Sequence, residues 1–285
     1  LSDLTVDTLV LANATNSVTL GATAQNVTGN AGADTVTMIN SASGTIALAG
    51  GTNIVNVGDS VDITGATITA TDGTYDVNLT GTAASSTMTS AQLKAARGFT
   101  ESSAGAKTVT VTGALTGTTI DATIDTLVLA NATNSVTLGA AGQNITGDAG
   151  ADTVTMVTSA TGTIALGDGA NVVKIGNDFD ISGATLSKSG TLALNLSGSG
   201  ASSVTVAAAH LKTVANSITE GTGGAKTVTV VGALTGYTIN TTIDTLALAD
   251  ATNSVTLGAA AQNVTGGSGA DTVTMVTSAT GTIAL

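Results

Sequence analysis

The chain has 285 residues, a mass of 27.1 kDa and a formal net charge of -12 at pH 7, because 19 acidic residues face only seven Lys and Arg. Phosphate contacts require basic side chains, so this balance makes nucleic acid a poor partner. The absence of Cys excludes disulfides and Cys-ligated metals, and an aromatic content of 1% with no Trp excludes the ring-rich core of an ordinary globular enzyme.

The composition also separates the chain from disordered and membrane-spanning proteins. A mean hydropathy of +0.41 is too high for a disordered segment. Thr, Asn and Gly interrupt every apolar run well short of the length that a membrane-spanning helix needs, so we predict no membrane span. Frequent β-branched residues, 36 Gly and no Pro favour uninterrupted β-ladders, since Pro removes a ladder donor.

The first predicted strand belongs to a segment that occurs three times. Val6–Leu11 returns as Ile124–Leu129 and as Ile243–Leu248, at offsets of 118 and 119 residues. We therefore predict tandem units over residues 1–123 and 124–242, with a partial third unit over 243–285. Because the third copy ends within a unit, we expect the chain to be a window on a longer array.

A shorter period of about nine residues lies inside each unit. In the second copy the apolar residue that opens each short strand recurs at steps of 9, 9, 9, 10, 9 and 8, and these residues are Leu127, Val136, Ile145, Val154, Ile164, Val173 and Ile181. Two such strands with their turns make a rung of about 18 residues. The pattern predicts an all-β, right-handed parallel β-solenoid whose rungs stack about 4.8 Å apart.

Side-chain alternation predicts the core of this solenoid. In Asp152–Met156, Val154 and Met156 point to one face and the threonines to the other. Small aliphatic residues then fill a thin core and Thr covers the surface. Residues 90–97 and 207–214 are rich in Ala, Leu and Lys, so we predict one short helix in each complete unit.

A Gly- and Asp-containing motif precedes one strand in all three copies. Gly266–Thr274 has the spacing of the glycine-aspartate nonapeptide, and Gly29–Asp34 and Gly147–Asp152 are shorter versions of it. At these residues the chain resembles the RTX-type β-roll proteins, the giant adhesins and surface-layer proteins exported by bacterial type I secretion. The resemblance implies a β-roll-like solenoid and calcium held between successive turns.

By this resemblance the calcium ligands are motif aspartates and their neighbours: Asp34, Asp152, Asp271, Asp148 and Asp168. Carboxylate and carbonyl oxygens are the ligands that Ca²⁺ prefers. The same column also holds Asn16, Asn53, Asn134 and Asn171. Stacked Asn amides hydrogen-bond to one another without an ion, so an amide ladder is the open alternative to calcium.

Three other features have plain structural interpretations. We interpret His210, whose equivalent is Gln92, as a residue on a solvated helix rather than as a catalytic base. Lys107 and Lys226 follow Glu101 and Glu220 by six residues, which favours weak surface charge pairs. The Thr-x-Thr pairs are better explained by β-propensity than by ice binding, because neighbouring rungs do not continue them.

These observations favour a non-enzymatic, extracellular or cell-surface structural protein that builds a filament, surface layer or biofilm-matrix fibre. No nucleophile-base pair, carboxylate pair or phosphate loop is visible in the sequence. The alternative is a rod-like stalk of a bacterial adhesin whose binding domain lies elsewhere. We expect self-association through the helical segment or the Thr faces, and a cell-surface polysaccharide is a further candidate partner. Four apolar residues of that segment need to be covered, either by their own solenoid or by a neighbouring subunit: Leu93, Phe99, Leu211 and Ile218.

Overall fold

A computed structural model describes residues 5–71, 74–276 and 278–285. The chain divides into two compact units, the first unit (residues 1–131) and the second unit (residues 132–285). The second unit contains most of the second sequence repeat and all of the partial third one. The fold is an all-β, right-handed parallel solenoid of about 19 residues per turn, which confirms the predicted class. No helix among the described residues is long and apolar enough to cross a membrane.

The first unit contains fourteen strands and one helix among its described residues. They are β1 (Thr8–Val10), β2 (Asn16–Leu20), β3 (Asn26–Thr28), β4 (Asp34–Met38), β5 (Thr45–Leu48), β6 (Thr52–Val57), β7 (Val61–Asp62), β8 (Thr67–Ala70), β9 (Thr74–Leu79), β10 (Ser85–Thr89), α1 (Ser90–Ala95), β11 (Phe99–Glu101), β12 (Thr108–Thr112), β13 (Thr116–Thr119) and β14 (Thr126–Val128). Alternate strands join different parallel sheets, in the orders β1-β3-β5-β8, β2-β4-β6-β9-β11 and β7-β10-β12-β14.

The second unit repeats this arrangement with seventeen described strands and one helix. They are β15 (Asn134–Thr137), β16 (Asn144–Thr146), β17 (Asp152–Thr155), β18 (Thr163–Leu166), β19 (Ala170–Ile175), β20 (Phe179–Asp180), β21 (Thr185–Lys188), β22 (Thr191–Leu196), β23 (Ser202–Ala207), α2 (Ala208–Thr213), β24 (Ile218–Glu220), β25 (Lys226–Val231), β26 (Thr235–Thr238), β27 (Thr245–Ala247), β28 (Asn253–Thr256), β29 (Asn263–Thr265), β30 (Asp271–Thr274) and β31 (Ile283–Ala284). Its sheets follow the orders β15-β17-β19-β22-β24, β16-β18-β21, β20-β23-β25-β27-β29-β31 and β26-β28-β30.

The strand register follows the apolar columns predicted from the sequence. Val136 pairs with Val154, and Val154 pairs with Val173, so the same residue type stacks on successive rungs. Val154 and Val173 are fully buried, whereas the intervening Thr153 and Thr155 are only partly buried. Burial of each such aliphatic side chain contributes roughly 1.5–3 kcal/mol, so stacked Val, Ile and Leu stabilise the rungs without aromatic rings.

Rung length increases in the part of each unit that carries the helix. Val36 pairs with Val55, Val55 with Val77, and Val77 with Phe99, so the second and third steps span more of the chain than the first. The predicted rung length is therefore close for the first rungs and too short for the later ones. The additional residues form turns and the helix outside the ladder, so the stacking of the strands is preserved.

The two predicted helices are confirmed, and both pack on their own unit. Leu93 and Phe99 in the first unit are 5% and 8% exposed, and Leu211 and Ile218 in the second are 1% and 5% exposed. The solenoid beneath already covers these side chains. Packing on their own solenoid is therefore confirmed, because a six-residue helix is stable only when its apolar face is packed, and contact between subunits through this segment stays a prediction.

Candidate functional site

The predicted column of Asn and Asp residues forms a hydrogen-bonded ladder inside each unit. In the second unit Asn134 Nδ2 donates to Asp152 Oδ1 over 2.8 Å, and the Asp152 amide donates to Asn171 Oδ1 over 2.9 Å. Asn171 Nδ2 then donates to the carbonyl of Gly167 over 3.0 Å. All three side chains are buried, so the ladder links the beginnings of three successive strands away from solvent.

The first unit has the same ladder. Asn16 Nδ2 donates to Asp34 Oδ1 over 2.7 Å, and the Asp34 amide donates to Asn53 Oδ1 over 2.9 Å. In the third copy Asn253 Nδ2 donates to Asp271 Oδ1 over 2.7 Å. The alternation of Asn and Asp thus has a structural reason, since each amide supplies the donor that the next carboxylate accepts.

In two of the ladder aspartates the second carboxylate oxygen has no hydrogen-bond donor in the described part of the chain. Asp34 Oδ2 and Asp152 Oδ2 are buried and have no hydrogen-bond partner among the described residues. Burial raises the pKa of Asp152, the nearby Asp148 carboxylate adds to the increase, and the hydrogen bond from Asn134 opposes it. The neutral form of Asp152 is therefore favoured relative to an aspartate in water.

The structure does not bring the five predicted calcium ligands together. Asp34, Asp152 and Asp271 occupy equivalent positions in different repeats, and Asp148 and Asp168 are exposed turn residues. No group of three or more His, Cys, Asp or Glu that could hold a metal ion occurs among the described residues. Calcium prefers six to eight oxygens, and Oδ1 of each column aspartate already faces an N–H donor. The amide ladder accounts for the positions of the column aspartates, and calcium binding at these residues stays a prediction.

The motif glycines are explained by close packing of the turns. A Cβ on Gly147 would lie 2.3 Å from Asp152 Oδ2, and a Cβ on Gly150 would lie 1.8 Å from the Ala132 carbonyl oxygen of the preceding rung. Contacts this short are not tolerated by real Cβ atoms. Glycine at these positions thus allows successive turns and the buried carboxylate to approach each other.

A buried lysine occupies the corresponding polar position in another strand column of each unit. Lys107 is fully buried, and its Nζ donates to the carbonyls of Gly81, Ser103 and Gly105 over 3.1, 2.7 and 2.8 Å. Glu101 Oε2 lies 3.3 Å from the same Nζ. The interpretation of this pair as a weak surface interaction is wrong, because the ammonium group satisfies turn carbonyls within the stack.

Lys226 repeats the arrangement in the second unit. Its Nζ donates to the carbonyls of Gly198 and Gly200 over 3.4 and 2.7 Å, and its side chain is fully buried. The backbone amide of Lys226 donates to Asp244 Oδ2, as that of Lys107 does to Asp125 Oδ2, over 2.7 Å in both units. Each lysine thus supplies a positive charge inside a turn stack rather than at the surface.

His210 is a second corrected residue, since it is 4% exposed rather than solvated. Its Nδ1 accepts from the Ala207 amide over 3.2 Å, and this requires Nε2 to carry the proton that faces the Ala184 carbonyl at 2.9 Å. Burial lowers the pKa of His210, and the hydrogen bond with Ala184 partly opposes the decrease. The imidazole is a neutral structural link between α2 and the preceding rung.

Gln92 has the same role in the first unit. Its Oε1 accepts from the Thr89 amide over 2.7 Å, and its Nε2 donates to the carbonyls of Ile63 and Ala66 over 2.6 and 2.8 Å. Thr89 also caps α1 through its hydroxyl, whereas Ala207 has no hydroxyl to cap α2. The pair shows that this position has a packing role and does not need an imidazole.

Comparison with known protein families, with curated proteins and with solved structures found no match to this chain.

Proposed function

We propose that this chain is a non-enzymatic structural segment of an extracellular or cell-surface protein, which self-associates into a fibre or lattice. The observation that supports this best is that two polar arrangements, the Asn–Asp ladder and the buried lysine of another strand column, recur in each unit. The conspicuous polar residues are used to hold rungs together. We expect polar side chains to hold rungs together in a protein whose role is to form a stacked array.

The surface offers a second support for self-association. Ile39 and Val157 occupy the same position in successive repeats, and they are 56% and 50% exposed. Only 9% of the residues are charged, so few side chains oppose lateral contact. We assign the contact between subunits to these aliphatic residues and the adjacent Thr rows, in place of the packed helices.

Sedimentation velocity and negative-stain microscopy of the purified chain over a range of concentrations test this function. We expect large ordered assemblies, and we expect I39D/V157D to reduce them. N40D/T158D is the matched control, because it adds the same charges one residue further along at exposed positions. A chain that stays monomeric at high concentration, with and without calcium, would contradict assembly and favour the adhesin stalk.

A finer proposal is kinship with the RTX-type proteins, which is supported by the Gly-Ala-Asp turn in all three copies. Calcium binding at Asp34, Asp152 and Asp271, with Asp148 and Asp168 nearby, stays a prediction. If calcium supports the stack, chelation lowers the melting temperature and D152A removes most of one site's effect. If the amide ladder alone supports it, D152A lowers the melting temperature but added calcium and chelator do not change it.

A further inference from the structure

An open cleft lies beside helix α1 in the first unit. It has a volume of about 530 Å³ and lies between the helix end and strand β13, which contains Thr118. Leu93, Phe99 and Ile120 contribute apolar lining, and Arg97 and Asp121 contribute polar groups. This volume is within the range of about 300–1,000 Å³ that is typical of small-ligand pockets.

The second unit shows what fits at the equivalent place. Tyr237 stands where the first unit has Thr118, and it follows Thr235-Gly236 as Thr118 follows Thr116-Gly117. The two glycines have φ values of +65° and +62°, so strands β26 and β13 share this irregular backbone conformation. Tyr237 is 7% exposed, and its hydroxyl is 3.0 Å from Oδ1 of Asn216, just after α2. In that unit a phenol ring of the chain itself packs against the helix end.

We propose that the cleft beside α1 is a binding site for a phenol ring supplied from outside the chain. Its lining includes the apolar residues Leu93, Phe99 and Ile120, which are between 1% and 8% exposed, and the equivalent place in the second unit accommodates a phenol ring. Asp121 lines the cleft and can accept from a phenolic hydroxyl, whereas both carboxylate oxygens of Asp76 already accept from Arg97. Asp121 Oδ2 is held in place by the Phe99 amide, which donates to it over 3.1 Å.

The source of the ring follows from the composition. The chain has two Tyr, and both Tyr75 and Tyr237 are buried within their own units. A second copy of the chain therefore has no exposed phenol to offer. The ligand class is a para-substituted phenol, either as a small molecule or as a tyrosine side chain of a different polypeptide.

Saturation-transfer NMR with 4-methylphenol tests the site in the intact chain. We expect transfer to the wild type and its loss in T118Y, because the introduced ring fills the cleft as Tyr237 does in the second unit. T100Y is the matched control and should retain binding, since Thr100 is exposed and is not among the residues that line the cleft. N-acetyltyrosinamide distinguishes the sources: transfer to it supports a tyrosine side chain, and transfer to 4-methylphenol alone supports a small phenol.

A reciprocal variant keeps the test decisive if T118Y folds poorly. Y237T removes the ring from the second unit, so it should add a second binding site and increase the transferred signal. T118Y/Y237T should then bind through the second unit alone. Absence of transfer to the wild type, or equal transfer to the wild type and to a folded T118Y, overturns the proposal.

Discussion

Each unit contains an ammonium group that is removed from solvent and surrounded by backbone oxygens. A buried charge is tolerated only when its donors are satisfied, and Lys107 meets this condition with three carbonyls and the Glu101 carboxylate. The lysine therefore joins turns of successive rungs from the inside. Lys107 stabilises the stack through hydrogen bonds to turn carbonyls. The spacing of Glu101 and Lys107 in the sequence does not reveal these bonds.

Replacement of Lys107 by methionine tests this contribution. K107M keeps an apolar chain of similar length but leaves three carbonyls without a donor, so we expect the free energy of unfolding to fall by about 3 kcal/mol. Urea denaturation measures the change. K94M is the control, because Lys94 is exposed on α1. A loss in K107M no larger than that in K94M would show that the buried ammonium is dispensable.

His210 predicts a dependence of stability on pH. The folded state lowers the pKa of His210 below that of the unfolded chain, about 6.5, so the unfolded state takes up the proton more readily. The contribution of neutral His210 is complete above that pH and is lost progressively as the pH falls from it towards the lower pKa of the folded state. Protonation of Nδ1 also removes the acceptor for the Ala207 amide.

H210Q introduces the residue that the first unit uses at this position. We expect the wild type to lose more stability than H210Q between pH 7.5 and pH 5.5, and thermal melts at the two pH values give the comparison. The difference between the two proteins isolates the histidine from the carboxylates that titrate in both. Identical losses would mean that His210 takes up its proton equally readily in the folded and unfolded states, so that its pKa is not lowered by folding.

At the scale of turns and strands, close approach of successive rungs depends on single glycines. G150A would place a Cβ 1.8 Å from the Ala132 carbonyl oxygen, so we expect it to lower the free energy of unfolding by about 3 kcal/mol. G142A is a control from the same repeat, since a Cβ there meets nothing within 4 Å. Chemical denaturation of both variants decides the point, and equal stabilities would show that the turns can separate without cost.

The sequence predicts the strands, their register and both helices because each follows from a short period of apolar residues. It also contains a signal for the buried lysine. Lys107 precedes Val109 by two residues, as Asp125 precedes Leu127, which places it in a polar column. The cleft beside α1 could not be foreseen, since its shape depends on how the helix end packs against strand β13, which comes from a later part of the chain.

For the whole molecule, charge opposes the proposed association. The net charge is -12 at pH 7 and the sequence pI is about 4.1, so like-charge repulsion decreases as the pH is lowered. We expect light scattering at fixed concentration to rise from pH 7 towards pH 4.5, and added salt at pH 7 to reproduce part of the rise. I39D/V157D should show a smaller increase. Equal scattering by the variant would exclude Ile39 and Val157 from the contact.

The stacking of rungs, each bonded only to its neighbours in the ladder, has a mechanical consequence. Tension on the ends of one unit loads the hydrogen bonds of the terminal rung first, so we expect rungs to peel away in sequence. Each released rung of about 19 residues adds roughly 60 Å of contour length. Optical tweezers would record this as a series of short steps, whereas one long extension would indicate all-or-none rupture. Stepwise peeling makes such a segment an extensible tether that dissipates energy under load.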